Sequence, residues 1–256
     1  MKKPHILVTN DDGYNAPGIL KLTALMQELG NVTVVAPEEP MSGVGHAITV
    51  RNPLRLQKRS QQNGLEIWSC KGTPVDCVKL GEQIVLRKKP DLVVSGINHG
   101  SNAAVNIVYS GTMGAVLEST ISGIPSIGFS ICDYRHDADF SYVDKYIKRI
   151  AREVLEKGLP EQTCLNVNIP AVNGADIKGI KVCHQANARW VEEYDERKDP
   201  ANKNYYWLTG KFELLDDRPG TDEWALRQNY ISVVPVHYDL TAHHAMEHIK
   251  NLDLDV

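Results

Sequence analysis

Two adjacent carboxylates, Asp11 and Asp12, directly follow a short apolar run, His5–Thr9, near the start of the chain. Two like charges at the end of a buried strand repel each other, and one would take up a proton unless a cation lies between them. The sequence Asn-Asp-Asp-Gly is also favourable in turns, so a plain turn is the competing interpretation. The pair alone does not decide between a turn and a cation site.

Ser42 and Asn98 change that balance, because each follows a later predicted strand (32–36 and 91–94). The carboxyl ends of parallel strands meet at one edge of the sheet, where open α/β sheets bind ligands. Two carboxylates with two neutral oxygen donors form a ligand set that suits Mg²⁺ or Mn²⁺ better than zinc. We therefore predict one divalent metal ion per subunit at this edge. The neighbouring His99 is interpreted as a supporting or packing residue.

The next chemical signal is a run of small polar residues, Ser110, Gly111 and Thr112, at the start of a predicted helix, 111–122. Free backbone N–H groups and the helix dipole favour an anion at such a position. The competing interpretation is that Ser110 only caps the helix. No lysine follows the glycines, as a P-loop would require, and no G-x-G-x-x-G is present. An anion site beside a divalent cation predicts phosphate chemistry, with a bound water as the attacking group.

A second acid and base pair, Asp239 and His243, lies four residues apart near the start of a predicted terminal helix, 240–252. Spacing of four residues places two side chains on one helix face. Asp239 would then orient an imidazole that moves a proton near neutral pH. The competing interpretation is an aspartate helix cap followed by a surface histidine.

The elements that position these residues alternate between strand and helix over the first two thirds of the chain. Continuous apolar strands separated by helices predict an α/β fold, with a Rossmann-like, doubly wound and mainly parallel sheet. Residues 186–230 are rich in aromatic and charged side chains and predict a β-rich C-terminal extension. We expect one domain over 1–256, with the core in 1–185 and an extension in 186–256 that serves oligomerisation.

The composition limits the classes of partner. The chain has 256 residues and a formal net charge of −4, which argues against holding a nucleic-acid polymer by phosphate charge alone. No apolar run approaches the ~18 residues needed to span a membrane, and the run before Asp11 is too short for a signal peptide. Five cysteines without a C-x-x-C pair predict reduced thiols, and hence a cytoplasmic protein.

Taken together and in order, these segments resemble the survival protein SurE family. The resemblance extends through residues 5–130 and includes the late pair Asp239 and His243. It is carried by an ordered set of motifs: Thr9-Asn-Asp-Asp-Gly-Tyr-Asn-Ala-Pro-Gly18, Ala36-Pro37, Ser42-Gly43, Gly72-Thr-Pro-Val-Asp-Cys77, Ser95-Gly-Ile-Asn-His-Gly-Ser-Asn102 and Tyr109-Ser-Gly-Thr-Met-Gly-Ala115.

The resemblance implies a metal-dependent phosphatase that hydrolyses nucleoside 5′- and 3′-monophosphates. It also implies a homodimer or homotetramer built by exchange of C-terminal elements. Three groups of residues receive roles from the family pattern: Asp11, Asp12, Ser42 and Asn98 as metal ligands, Ser110, Gly111 and Thr112 as the phosphate site, and Asp239 with His243 as a catalytic pair.

The predicted reaction is an in-line attack on the phosphate by a metal-activated water, with Asp11 taking its proton and His243 protonating the leaving oxygen. Three alternatives stay open. A receiver-like signalling module would need a phosphoacceptor aspartate where the chain has Ser95 and Asn98. A covalent aspartyl phosphatase would need D-x-D, whereas the acids here are adjacent. A nucleotide-binding protein without catalytic activity is the third.

Overall fold

The computed structural model describes residues 3–62, 64–135 and 137–252, and nine strands of that part form one mixed β-sheet. This confirms the predicted α/β fold with its mainly parallel sheet. In chain order the strands are β1 (His5–Thr9), β2 (Asn31–Pro37), β3 (Leu56–Gln62), β4 (Leu65–Cys70), β5 (Leu92–His99), β6 (Ser126–Ile131), β7 (Thr163–Ile169), β8 (Gly179–Val182), β9 (Ala188–Lys198), β10 (Asn204–Leu214) and β11 (Tyr230–His237). The helices are α1 (Pro17–Gln27), α2 (Pro74–Leu80), α3 (Gly111–Ile121), α4 (Asp144–Lys157), α5 (Asp222–Arg227) and α6 (Met246–Lys250).

The order of the strands reverses between β1 and β5. Across the sheet the order is β3-β4-β2-β1-β5-β6-β7-β11-β8, and β1 pairs in parallel with both β2 and β5. The chain therefore winds outward from β1 to β4 and returns to the other side of β1 at β5. A crevice forms at such a switch point, beyond the carboxyl ends of the two strands. Asp11 and Asp12 follow β1, and Asn98 lies near the end of β5, so the fold brings them to this crevice.

Successive side chains of a strand point to opposite sides of the sheet, and in β1 the side chains on both sides are packed against helices. Ile6 and Val8 of β1 join the cluster that contains Ile19 of α1 and Ile147 of α4. The intervening Leu7 joins a second cluster with Cys77 of α2 and other apolar residues. The continuous apolar runs of the sequence thus supply two cores.

The C-terminal part contributes to the central sheet as well as extending beyond it. Strand β11 lies between β7, to which it is antiparallel, and β8, to which it is parallel. Strands β9 and β10 form a separate antiparallel hairpin whose side chains are largely exposed. The predicted β-rich extension is confirmed, although residues after 185 also supply a strand to the main sheet.

Several elements differ from the sequence prediction in extent. The strand predicted at 91–94 continues to His99, so Asn98 lies within β5 and not after it. The helix predicted from Pro74 to 86 is α-helical only to Leu80 and continues as a π-helical turn, Gly81–Leu86. No helix of the described residues is both long and apolar enough to cross a membrane.

The predicted terminal helix, 240–252, is the largest error. Only Met246–Lys250 is α-helical, after a 3₁₀ turn at His243–Ala245. The backbone of Thr241 donates to Asp239 Oδ1 at 2.9 Å, which closes a turn in place of the first helical turn. Neither the 3₁₀ turn nor α6 has a buried residue, so no apolar face holds a longer helix against the core.

Candidate metal and phosphate site

The turn after β1 is fastened to the segment that follows β2. Asn10 Nδ2 donates to the carbonyl oxygen of Gly13 at 2.9 Å, and the Tyr14 N–H donates to the carbonyl oxygen of Pro37 at 2.9 Å. The Met41 N–H donates to the carbonyl oxygen of Asp11 at 2.7 Å. The Asn-Asp-Asp-Gly segment expected to form a turn thus bends at Asp11 and Asp12, just before a turn at Tyr14 and Asn15, and this acidic turn places two carboxylates at the switch point.

Asp11 is buried against the start of α3. Asp11 is only 4 % exposed, and Thr112 Oγ1 donates a hydrogen bond to its Oδ1 at 2.6 Å. A Cβ atom on Gly111 would lie 2.9 Å from Asp11 Cβ, so only glycine allows this close approach. Burial raises the pKa of Asp11 to about 6; the Asp12 charge also raises it, and the Thr112 hydrogen bond opposes the shift. The helix start and the acidic turn are thus one unit.

Asp12 has an unsatisfied oxygen. Its Oδ2 is buried and has no hydrogen-bond partner. Burial raises the pKa of Asp12, while the charge of His99 and a backbone hydrogen bond from His99 oppose the shift. A buried carboxylate oxygen without a partner is costly, and a bound cation is one way to compensate it. The supporting position expected for His99 agrees with this contact, and its ring also packs edge-on against Phe140.

The two remaining predicted ligands lie on the same cavity as Asp11. A cavity of about 240 Å³ is lined by Asp11, Ser42, Asn98 and Ser110, among others. Asn98 Nδ2 donates to the carbonyl oxygen of Gly100 at 2.9 Å, so Oδ1 is the amide atom that could bind a cation. The structure therefore brings residues from the segments after β1 and β2, the end of β5 and the start of α3 to one cavity, whereas Asp12 is not part of its lining.

The donor chemistry fits a hard divalent cation. Within the described residues, no group of three or more His, Cys, Asp or Glu side chains is arranged to bind a metal. The candidate set consists of two carboxylates with the hydroxyl of Ser42 and the amide oxygen of Asn98. Oxygen-only sets of this kind suit Mg²⁺ and Mn²⁺, which also keep several waters. The unpartnered Asp12 oxygen is the observation that such a cation would explain.

The start of α3 has both features that the sequence left open. Ser110 Oγ accepts a hydrogen bond from the Met113 N–H at 3.1 Å, so Ser110 is an N-cap. Ser110 also lines the Asp11 cavity, at the positive end of an 11-residue helix. The Thr112 hydroxyl already donates to Asp11, so the backbone N–H is the group through which Thr112 could bind an anion.

Asp239 and His243 contact each other, and neither of them lines the Asp11 cavity. His243 Nε2 lies 2.8 Å from Asp239 Oδ2. Hydrogen bonds from Thr241 and then from His243 lower the pKa of Asp239. Asp239 lines a separate groove of about 690 Å³ that shares Ser110 with the Asp11 cavity. The sequence predicts that the two side chains share one helix face. In the structure a turn brings them together instead.

Sequence reasoning missed the aromatic and amide side chains on the cavity wall. Asn106, Tyr134 and Trp190 line the cavity with Asp11, and Trp190 Nε1 donates to Asn106 Oδ1 at 2.8 Å. Trp190 belongs to the extension 186–256, for which the sequence predicts a role in oligomerisation. No periodic pattern connects residue 190 with residue 106, so the sequence offered no local signal for this contact.

Comparisons with known proteins converge on one family. The family model described as survival protein SurE matches residues 6–192. A protein of Flavobacterium psychrophilum, named 5′-nucleotidase SurE, is 57% identical over 256 residues that cover 100% of both chains. A protein of Bacteroides fragilis with the same name is 49% identical over 258 residues, covering 99% of each. The crystal structure of SurE protein from Aquifex aeolicus superposes with a TM-score of 0.82 at 43% identity, covering 96% of this chain and 98% of that one.

Proposed function

The chain belongs to the survival protein SurE family, and we propose that it is a 5′-nucleotidase that hydrolyses nucleoside monophosphates to nucleoside and phosphate. Activity towards 3′-monophosphates is part of the same proposal. The observation that carries it is the adjacent pair Asp11 and Asp12 beside the start of α3, in which Asp11 is buried and Asp12 has one buried oxygen without a partner. Phosphoryl transfer is favoured where a cation site adjoins an anion site, because the cation neutralises charge on the phosphate that the anion site holds.

Asp11, Asp12, Ser42 and Asn98 are the residues that would hold the metal, one Mg²⁺ or Mn²⁺ per subunit. When bound, such an ion neutralises charge on the phosphoryl oxygens and lowers the pKa of water. Thr112 holds one oxygen of Asp11 in place through its 2.6 Å hydrogen bond. The chain itself thus fixes the orientation of Asp11 before any ligand arrives.

The phosphate group is proposed to bind at the start of α3, on Ser110, Gly111 and Thr112. The absent side chain of Gly111 lets the substrate and the Asp11 carboxylate approach the same stretch of backbone. The helix dipole favours the dianionic phosphate there. Asp11 is the proposed acceptor of the proton from the attacking water, because its carboxylate lines the cavity and contacts the start of α3, where the phosphate is proposed to bind.

His243, oriented by Asp239, is the proposed donor of a proton to the leaving oxygen. This role requires the C-terminal segment to reach an Asp11 cavity, which a homodimer or homotetramer with exchanged C-terminal elements would allow. The exposed aromatic side chains of the β9–β10 hairpin support such an assembly, because a monomer would leave Tyr194, Tyr206 and Trp207 in solvent. A cytoplasmic location belongs to the same proposal, since all five cysteines are free thiols.

The experiment is a phosphate-release assay over nucleoside 5′- and 3′-monophosphates with Mg²⁺, Mn²⁺, Zn²⁺ or a chelator. We expect turnover with Mg²⁺ or Mn²⁺ and none in excess chelator. Full activity in chelator would reject the metal role. The absence of turnover with every metal, together with tight nucleotide binding, would favour the binding protein without catalytic activity.

A further inference from the structure

We propose that Trp190 and Tyr109 form the subsite that stacks the base of the nucleotide, next to the phosphate end of the site. The inference rests on the proposed function, because it needs a substrate with a phosphate at one end and a flat base at the other. It adds what the acidic cluster does not specify, namely which side chains recognise the nucleoside.

The size of the Asp11 cavity provides the first step. Its volume of about 240 Å³ is smaller than the roughly 300–1,000 Å³ usual for pockets that enclose a whole small-molecule ligand. The cavity suits the phosphate and its surroundings, and the nucleoside must extend into adjoining space.

One adjoining cavity has aromatic walls. It has a volume of about 330 Å³ and is lined by Tyr109, Trp190, Glu192, Leu208, Thr209 and Gly210. Tyr109 and Trp190 also line the Asp11 cavity, so the two spaces share these rings. A ligand that passes from one cavity to the other must pass Tyr109 and Trp190.

The indole of Trp190 is held in a fixed orientation. Its Nε1 donates to Asn106 Oδ1 at 2.8 Å, and its ring packs edge-on against Phe212 at 5.6 Å between centroids. Trp190 is still 39% exposed and Tyr109 49% exposed, so ring surface remains for a ligand. A fixed, partly exposed aromatic ring is well suited to stack a base.

The other adjoining space is the groove of about 690 Å³ that shares Ser110 with the Asp11 cavity. It is lined by aliphatic side chains, among them Ile107, Leu117 and Val234, and also by Tyr238 and three histidines, but none of these four rings lines the Asp11 cavity as well. Neither Trp190 nor Tyr109 is part of its lining. The ring surfaces favour the hairpin side, and stacking accepts every base because each has a π-face. The subsite should therefore discriminate only weakly between purine and pyrimidine nucleotides.

The test compares two phosphate esters that differ only by the base. Adenosine 5′-monophosphate carries the base, and ribose 5-phosphate lacks it. In Trp190→Ala, we expect the KM for adenosine 5′-monophosphate to rise about tenfold with little change in kcat, which is the usual scale for losing one stacking partner. The KM for ribose 5-phosphate should stay within about twofold, and Trp190→Phe should restore most of the affinity for the nucleotide.

Trp207→Ala is the matched control, because Trp207 lies on the same hairpin, is 61% exposed and lines neither of the two shared cavities. Trp207 also belongs to the aromatic face proposed for assembly, so both variants are compared at a concentration at which light scattering shows the wild-type oligomer. Trp207→Ala should change neither KM. Equal effects of Trp190→Ala on the two esters, or no effect on either, would overturn the inference while leaving the nucleotidase proposal intact. If the wild type hydrolysed neither ester, the proposed function would fail. Calorimetric binding of adenosine 5′-monophosphate to wild type and Trp190→Ala would then decide the subsite, with equal affinity rejecting it.

Discussion

The acidic turn at the switch point and the C-terminal turn each hold a candidate proton-transfer group, and they are built in opposite ways. Asp11 is 4% exposed, and burial raises its pKa to about 6. In the other turn the side chains of Asp239 and His243 are 40% and 66% exposed, and hydrogen bonds lower the pKa of Asp239. The surroundings of the two aspartates therefore shift their pKa values in opposite directions, upward for Asp11 and downward for Asp239.

The difference shows which part of the machinery a single chain can complete. The acidic turn is fixed by backbone hydrogen bonds to the segment after β2 and by the start of α3, both anchored in the core. The C-terminal pair has solvent around it, and exposed ion pairs of this kind contribute little to stability. We infer that the acidic turn is pre-formed in the single chain, whereas the C-terminal pair would need a contact with another surface to be held in place.

The largest expected effect comes from removing one charge at the pre-formed site. Asp12→Asn keeps the shape of the side chain but deletes the charge that would bind the cation, so we expect kcat/KM to fall by ~10³-fold or more. Binding of Mn²⁺, followed by electron paramagnetic resonance, should be lost in parallel.

The fold should survive this substitution, because it neutralises one of two adjacent carboxylates that repel each other. Thermal unfolding should therefore show no loss of stability. An active Asp12→Asn protein would mean that the acidic turn is only a turn.

The acidic site was predictable because each of its parts is local in sequence. Asp11, Ser42 and Asn98 each follow or end an apolar strand, and parallel pairing brings strand ends together whatever the loops do. The helix start at Ser110 carries its own signal in the cap and the glycine. Only the contact between Gly111 and Asp11 depends on packing, and it makes glycine necessary at 111.

The rest of the molecule was less predictable because its contacts join distant segments. Strand β11 enters the sheet between β7 and β8, an order that no hydrophobic pattern encodes. Trp190 reaches the cavity through a hydrogen bond to a residue 84 positions earlier. The terminal helix was overpredicted because the side chain of Asp239 competes for the backbone of Thr241, a local interaction that spacing alone does not reveal.

The next effect tests whether the C-terminal pair belongs to the site. If His243 protonates the leaving oxygen, His243→Ala should lower kcat by about 10²-fold, at the low end of general acid catalysis, with little change in KM. The loss should shrink for 4-nitrophenyl phosphate, whose leaving group hardly needs a proton. Equal losses on both esters would reject the acid role, and no loss would remove His243 from the mechanism.

Mixed oligomers make this comparison sharper. If subunits exchange C-terminal elements, the impaired His243→Ala and Asp12→Asn chains, refolded together, should be more active than either variant alone, because some cavities would combine the intact parts of both. Recovery would place the pair in a neighbouring subunit's site. No recovery, with scattering that shows a normal oligomer, would restrict the pair to its own chain.

A smaller effect is expected from the loop that carries Ser42. The backbone of this loop rests on α3, where a Cβ atom on Gly114 would lie 2.5 Å from the Gly45 carbonyl oxygen and 3.1 Å from His46 Cα. Gly114→Ala should favour the helix itself by ~1 kcal/mol but displace the loop. Shifting a residue that supports a ligand typically costs ~10-fold or more in metal affinity, so the half-saturating Mn²⁺ concentration should rise about tenfold. Unchanged Mn²⁺ affinity would show that Ser42 is not a ligand.

The smallest effect on activity is expected at Glu118. This residue of α3 contacts the same loop through the side chain of His46. Glu118 lies 3.0 Å from His46 Nε2 and accepts a hydrogen bond from Lys79 Nζ at 2.5 Å. The hydrogen bond with His46, and then that with Lys79, lower the pKa of Glu118 from 4.5 to about 2. A carboxyl group whose pKa is lowered by folding stabilises the folded state above its unfolded pKa, and this stabilisation is lost as the pH falls through the folded pKa.

Glu118→Gln should therefore lower the free energy of unfolding by about 2 kcal/mol at pH 7, with most of the activity retained. The difference from wild type should shrink as the pH falls from 4.5 towards 2, because protonation then removes the same charge in the wild type. Urea unfolding at a series of pH values measures it. Glu28→Gln is the matched control: Glu28 accepts from Lys148 at 2.9 Å but its side chain is 57% exposed, so the change should be within ~0.5 kcal/mol at every pH. If the free energy of unfolding of Glu118→Gln stayed below that of wild type by the same amount at every pH, the packing of the side chain, and not its charge, would stabilise the loop.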